Sequence, residues 1–315
     1  MSAEKKEPLP LAAAPILPRA LPPRPPAEFS SPEAALARKQ AREAKDAQVR
    51  GVTSIDAMRE AIKQAARDLP TITEVPRLAM LDAAAFRARA ALGLPFLMRG
   101  LVRRWPLSKL EPRVLREQFS HVPVRARVGD FVNTAFAADR AMQDMSMGQY
   151  LDLVAEGKYA LPPYLGNLEL RELNRLCHWP TYFDKMGPPR FWVGPAGTVT
   201  PLHCDYDDNI FAQVWGRKRI FLSPPHHDAF LYPSEANAIL FGSPFDPEAP
   251  DFERFPLARQ AAMIECIVES GDMLYVPAGW YHQVRALTFS LSSNRWARAV
   301  PLALHGEMAL GLTEA

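Results

Sequence analysis

Apolar and polar positions follow two different rhythms along the chain, and the change falls near Pro188. Before it, apolar residues recur mostly at helical spacing. Ser54 precedes Ile55, Met58, Ile62 and Ala65, an i, i+3, i+7 pattern that predicts a capped helix with a face to pack on the main domain or on another subunit. Upstream, Ser31-Pro32 supplies a cap and a first-turn proline. The Ala-rich, charged run from Ala34 to Val49 has little to bury, so it reads as an exposed helix that Gly51 stops. Asp82 caps a helix through Phe86 and Ala90, Pro112 to Phe119 reads as helical, and Ser146 to Ala155 carries an apolar face of Met147, Tyr150, Leu151 and Val154. Short strands are expected at Thr71 to Val75, Pro95 to Gly100 and Val122 to Val128, with a loop or short strand at Pro162 to Gly166.

After Pro188, strand-like runs follow one another, separated by Gly, Pro and Asp. They are Phe191 to Val193, Ile210 to Trp215, Lys218 to Leu222, Met263 to Val268, Met273 to Val276, His282 to Ala286 and Phe289 to Ser293. Many short strands at this spacing predict an all-β sandwich or barrel. A long segment rich in Pro, Gly and Asp between Tyr232 and Phe255 interrupts them, and long loops in compact domains often serve function.

Composition changes this picture at the N-terminus. Residues 1–30 are rich in proline and alanine, densest at Pro22-Pro23-Arg24-Pro25-Pro26, which predicts a disordered tail. A helical extension over 31–70 and a main domain over 71–315 would follow. A net charge of +2 gives no general pull toward nucleic acid or an anionic membrane. No run approaches the ~20 apolar residues that span a bilayer, and the first residues lack the apolar core of a signal peptide. The three cysteines Cys177, Cys204 and Cys266 are too scattered for a disulfide framework. A cytoplasmic protein is expected.

The candidate chemistry lies in Thr200-Pro201-Leu202-His203-Cys204-Asp205. On a strand, side chains at i and i+2 share a face, so His203 and Asp205 converge while Cys204 points away. His282, on an inward face with Val284 and Ala286, is a third candidate ligand. Two His and one carboxylate make the facial triad of non-haem Fe(II) oxygenases, with positions left open for cosubstrate and oxygen. A lone inward His is more often a satisfied core residue, and a zinc set from His203, Cys204, Cys177 and His178 is the rival; adjacent Cys177 and His178 do not give the tight ligand pairs that structural zinc uses. Lys218 shares a face with Ile220 and Leu222. A buried ammonium there needs an anion, a ligand carboxylate being the natural one, unless the side chain snorkels to solvent. Asn294 alternates with Ser290 and Ser292, a polar stripe that lines a wet cavity or faces solvent.

These residues reach a resemblance. Thr200 to Asp205, Asn209-Ile210-Phe211-Ala212-Gln213, Gly216-Arg217-Lys218-Arg219, Leu231-Tyr232-Pro233, Gly271 to Pro277, Trp280-Tyr281-His282 and Asn294-Arg295-Trp296 fall in the order and spacing of the JmjC/cupin-like Fe(II)- and 2-oxoglutarate-dependent oxygenases. Within that family the chain looks most similar to the asparaginyl hydroxylase branch that inhibits hypoxia-inducible factor. The likeness spans roughly residues 72–298. It implies a mainly β protein, a double-stranded β-helix (cupin or jelly-roll) core with N-terminal helices. His203, Asp205 and His282 would hold iron. Lys218 would pair with the distal carboxylate of 2-oxoglutarate, with Thr200 and Tyr164 as further contacts, and Asn209 and Asn294 would line the cosubstrate pocket. Strict alternation places Thr200 opposite His203, so only a bend at Pro201 would bring it in. The family's hydroxylases carry Asp in the His-x-Asp pair where its lysine demethylases more often carry Glu, so Asp205 favours hydroxylation. Cys204 departs from the family, whose near members place an aromatic residue there.

The implied reaction is hydroxylation of a C–H bond, on a peptide or protein side chain in preference to a small molecule or nucleic acid, with release of succinate and CO2. Two other classes stay open on the same fold: a non-catalytic binding protein with a vestigial metal site, and a metal-dependent sugar isomerase, which has no use for Lys218. A homodimer is also open, with the helices before residue 70 as one candidate contact.

Overall fold

The computed structural model describes residues 32–129, 141–237 and 240–305; the expected tail at 1–30 lies outside them. Among the described residues the α-helices are α1 (Pro32–Arg50), α2 (Ile55–Ala66), α3 (Ala83–Ala90), α4 (Val114–Glu117), α5 (Met147–Glu156) and α6 (Arg171–Asn174). The early strands are β1 (Arg77–Leu78), β2 (Phe96–Met98), β3 (Pro123–Arg127), β4 (Met142–Ser146) and β5 (Leu165–Leu168). The later ones are β6 (Arg190–Gly194), β7 (Val199–Asp205), β8 (Asn209–Trp215), β9 (Lys218–Ser223), β10 (Ser234–Asn237), β11 (Leu240–Gly242), β12 (Ile264–Val268), β13 (Met273–Val276), β14 (Tyr281–Ala286) and β15 (Ser290–Trp296).

Two large sheets form, one ordered β1-β2-β13-β8-β15-β6-β5 and the other β10-β11-β7-β14-β9-β12; β3 and β4 pair separately. All ladders are antiparallel except β1 with β2. The chain switches sheets at successive steps: β7 in one, β8 in the other, β9 back, and likewise β12, β13, β14 and β15. This is the mainly β architecture the strand pattern predicts, with the two-sheet, cupin-like arrangement the resemblance implies. Gly216-Arg217 carries the chain from one sheet to the other, since β8 and β9 lie in different sheets. Gly216 takes φ +73 there, and a Cβ on it would sit 2.2 Å from the Phe289 carbonyl oxygen, so the tight crossing requires glycine.

Between the sheets, Leu97, Phe211, Ile220, Leu222, Val276 and Trp280 join one apolar cluster. A second cluster covers the outside of the seven-stranded sheet with Phe86 of α3 and Tyr150 of α5. A third lies on the outside of the other sheet, where Ile55, Met58 and Ile62 of α2 meet Leu202, Cys204, Tyr206 and Tyr281. The face of α2 read from its periodicity therefore packs on the barrel, behind β7. Ser54 caps it by accepting from Ala57 N at 3.0 Å. Ser146 and Gln149 make a capping box for α5, and Gly157 ends it at φ +65.

Two expectations shift. Thr71 to Val75 forms no strand; Pro70 and Pro76 bracket it, Val75 is buried as an anchor, and the ladder starts at Arg77. The segment after Tyr232 contains β10 and β11, and β11 adds itself to the free edge of β7: Gly242 pairs with His203 and Phe241 with Cys204. Farther along, Asp246 and Glu248 accept from Gln283 Nε2 at 2.8 and 3.2 Å, and Glu248 pairs with Arg285 and Arg219. Gln283 and Arg285 alternate with His282 and Val284, so this part of the segment is fastened to the outer face of β14.

Candidate active site

One cavity of about 160 Å³ opens between the sheets. Its walls include all eight residues singled out from the sequence: Tyr164, Thr200, His203, Asp205, Asn209, Lys218, His282 and Asn294. The metal candidates come from adjacent strands. His203 and His282 are register partners on β7 and β14, with ring centroids 4.2 Å apart. One ligand atom from each of His203, Asp205 and His282 lies within 4.8 Å of the others, and among the described residues this is the one such group of three. The zinc alternative does not assemble. Cys204 faces the other way, into the cluster under α2, and Cys177 donates to Leu173 O at 3.4 Å near the outside of the opposite sheet.

Backbone carbonyls set the imidazole tautomers. His203 Nδ1 is 2.8 Å from Pro201 O and His282 Nδ1 is 3.0 Å from Trp280 O. A carbonyl oxygen only accepts, so each Nδ1 carries the proton and each Nε2 keeps its lone pair. Burial and the neighbouring His282 hold His203 well below the ordinary imidazole range, which favours the neutral, ligating form. The Asp205 carboxylate accepts from Trp296 Nε1 at 2.9 Å on Oδ2. Burial raises its pKa, against the lowering effects of His282 and Trp296. Two imidazole nitrogens and a carboxylate fit a divalent transition metal, and hydrogen bonds behind each ligand are what such sites use to hold orientation.

Thr200 reaches the cavity through a bulge. Between the pairs His203–His282 and Thr200–Val284, β7 spends three steps and β14 two. The extra residue falls at Pro201-Leu202, where proline has no N–H to give the ladder. Thr200 and His203 thus share the inner face, as the bend at Pro201 requires.

Lys218 is 1% exposed. It donates to Ser292 Oγ at 2.7 Å and to Tyr164 Oη at 3.4 Å, both neutral groups. Burial lowers its pKa to about 7. Snorkelling is excluded, and the ammonium stands desolvated on the cavity wall. Burial pushes Tyr164 up to about 12, against lowering by Arg127 and Thr200. A relay of amides crosses the opposite wall: Trp192 Nε1 donates to Asn294 Oδ1 at 2.9 Å, and Asn294 Nδ2 donates to Asn209 Oδ1 at 3.2 Å. Arg127, Asn167, Trp192, Phe211 and Trp296 also line the cavity. Phe211 and Trp296 stood in quoted motifs without a role; Arg127, Asn167 and Trp192 gave no local signal for the site, because their place depends on strands far apart in sequence. Asn167 has φ +60 inside the irregular pairing of β5 with β6.

The chain is similar to several known proteins over part of its length. The chain is 47% identical over 105 residues to the lysine-specific demethylase JMJ30 of Arabidopsis thaliana, covering 33% of this chain and 24% of that protein. It is 32% identical over 126 residues to the human bifunctional peptidase and (3S)-lysyl hydroxylase JMJD7, covering 34% and 40%. It is 35% identical over 124 residues to the tRNA wybutosine-synthesizing protein 5 of Gallus gallus, covering 39% and 38%. The matches thus span between a quarter and two fifths of these relatives. The cupin-like domain family matches residues 82–301, more than half of the sequence, and the chain belongs to that family.

Proposed function

We propose that this protein is an Fe(II)- and 2-oxoglutarate-dependent oxygenase that hydroxylates a C–H bond of a peptide or protein side chain. The overall change inserts one oxygen atom of O2 into the C–H bond and the other into succinate, as 2-oxoglutarate loses CO2. The observation that carries the reading is Lys218: a desolvated ammonium whose hydrogen-bond partners among the described residues, Ser292 and Tyr164, are neutral, in the same cavity as a His/Asp/His cluster. A metal-binding scaffold or a sugar isomerase has no need of that ammonium. A ligand that binds a metal at one end and carries a carboxylate at the other does.

Iron and 2-oxoglutarate, when bound, supply the oxidising chemistry. The chain's own residues do the positioning. His203 and His282 present lone pairs fixed by the Pro201 and Trp280 carbonyls. Asp205 supplies the anionic ligand, oriented by Trp296. Lys218 meets the distal carboxylate in a charge-assisted hydrogen bond, with Thr200 and Tyr164 beside it. Asn209 lends its amide N–H groups, since its oxygen is occupied by Asn294. Phe211, Ile220, Val276 and Val284 give the cavity apolar walls that exclude water. Asp205 is the residue favouring hydroxylation over demethylation. The finer likeness to the asparaginyl hydroxylase branch rests on the run of motifs from Thr200 to Trp296, while the named relatives include a lysine demethylase and a lysyl hydroxylase. A cytoplasmic location remains part of this reading; among the described residues no helix is long and apolar enough to cross a membrane.

The test is an anaerobic titration of 2-oxoglutarate into Fe(II)-loaded protein, followed by the visible charge-transfer band. A saturable band, then succinate on admitting O2, is expected. Folded, iron-loaded protein without a band would remove the oxygenase reading.

A further inference from the structure

The turn that follows the metal strand is held by a residue from outside the matched domain. Residues 206–208 join β7 to β8, and their polar side chains lie outside the cavity lining in a dense set of hydrogen bonds. Asp205 O accepts from Gly279 N at 2.7 Å, and Asp208 O from Ala297 N at 2.8 Å. The Asp208 carboxylate accepts from Tyr275 Oη, Ala278 N and Leu302 N at 3.0, 3.0 and 2.8 Å. The middle two residues are held differently. Arg50, the last residue of α1, donates from Nη1 to Tyr206 O at 3.3 Å and to Ala299 O at 3.2 Å, and its Nη2 pairs with Asp207 Oδ1. The Arg50 and Asp207 side chains are 1% and 2% exposed. Asp207 Oδ2 also accepts from Arg298 Nη1 at 3.2 Å. From α2, Arg59 Nε donates to Tyr206 Oη at 2.9 Å. Ile62 packs so closely on Gly279, the residue that holds Asp205 O, that a Cβ there would lie 2.6 Å from Ile62 Cγ2.

We infer that Arg50 is a positioning residue of the metal centre: by fixing Tyr206 and Asp207 it sets where the Asp205 carboxylate stands. The inference rests on the metal reading above and extends it to the helices at 32–66, which precede the family match at 82–301. The physical ground is the cost of the arrangement. A buried ion pair adds little to stability compared with well-packed apolar residues, so stability alone gives no reason for a guanidinium at this point. What Arg50 provides that an apolar residue cannot is direction, with three acceptors on two segments fixed by one planar group. Groups standing behind metal ligands typically change metal affinity by about 10- to 100-fold when removed.

The experiment uses the full chain. Arg50→Met keeps an unbranched stem and removes the donors. Phe86→Leu, in the cluster on the far sheet, is a control for general loss of stability. Co(II) is titrated into each metal-free protein and read from its visible bands, and each Tm is measured. We expect Arg50→Met to weaken Co(II) binding about ten-fold or more, with Phe86→Leu lowering Tm while holding affinity within about two-fold of wild type. Co(II) affinity unchanged in Arg50→Met, or weakened equally by Phe86→Leu at the same Tm loss, would overturn the inference. If Arg50→Met does not fold, Arg298→Met removes the other Asp207 contact at a side chain 33% exposed. It should weaken Co(II) binding by about three-fold or more, a smaller share of the same outer-shell effect, and unchanged affinity there overturns the inference as well. Wild-type protein that binds no Co(II) sinks the metal reading itself, a result distinct from both.

Discussion

Affinity for 2-oxoglutarate should fall as pH rises through neutrality, and the slope should belong to Lys218. Its ammonium is buried against Ser292 and Tyr164, with a pKa lowered to about 7 by desolvation. If the distal carboxylate binds only the ammonium form, the apparent dissociation constant is multiplied by one plus the ratio of neutral to charged Lys218. That factor is about 1.1 at about pH 6, about 2 at about pH 7 and about 11 at about pH 8, so binding weakens roughly ten-fold across the range. Removing the ammonium in Lys218→Met should cost about 2–3 kcal/mol, on the order of 30- to 150-fold in affinity. The assay is anaerobic titration of the metal-loaded protein with 2-oxoglutarate and, in parallel, with 2-oxobutyrate. The second ligand has the same keto-acid end and no distal carboxylate, so it reports the titration of the metal ligands alone. The same variant has a signature in stability. The Lys218 pKa is below its unfolded value, so the burial penalty is absent above the unfolded pKa, grows as pH falls toward about 7, and is complete below it. Metal- and ligand-free Lys218→Met should therefore melt higher than wild type at neutral pH, and the gap should close toward about pH 10. Equal pH slopes for the two ligands, or 2-oxoglutarate affinity kept within about two-fold in Lys218→Met, would refute the assignment.

Other changes have directions set by the same geometry. His203→Ala removes one of the three proposed metal ligands and should abolish both Fe(II) binding and succinate formation, with Tm of the metal-free protein nearly unchanged. Trp296→Phe deletes the donor to Asp205 Oδ2; metal affinity, read by Co(II) titration, should drop by about ten-fold, as for other groups behind ligands. Gly216→Ala meets a carbonyl oxygen at 2.2 Å with φ +73. It should destabilise by about 2 kcal/mol or more in chemical denaturation, and weaken 2-oxoglutarate binding because Lys218 is two residues on.

Alternation made the strands and the His203/Asp205 pair legible, because both depend on neighbours within a few residues; His282, on a distant strand, joined them through the facial-triad pattern and the family resemblance. The losses have physical causes. Thr200 looked misplaced because period-two counting assumes an unbroken ladder, and the bulge at Pro201-Leu202 inserts one residue between it and His203. Strands β10 and β11 carry no clear alternation; their ladder is supplied by the edge of β7. Arg50 read as the end of an exposed helix, and its burial is decided by Asp207, 157 positions away. Trp296 and Asp205 meet across 91 positions. A sequence shows which residues can share a face, whereas a hydrogen bond across the barrel depends on how two sheets close.

These longer-range contacts have a common target, the strand β7. Its inner face presents Thr200, His203 and Asp205 to the cavity. Its outer face puts Leu202 and Cys204 under α2, and its edges are taken by β11 and β14. The turn beyond it is tied to α1, and its last carbonyl to Gly279. A strand paired on both edges, packed on its outer face and tied at the turn beyond it is held against movement. That rigidity gives a role to the segment after Tyr232 other than that of a lid. Its β11 completes the pairing of the metal strand, and its Asp246 and Glu248 hold the outer face of the strand that carries His282. A metal centre needs ligands held in place before the metal arrives. In this fold the parts that look like decoration on the barrel, the N-terminal helices and the long insertion, converge on the two strands that supply those ligands.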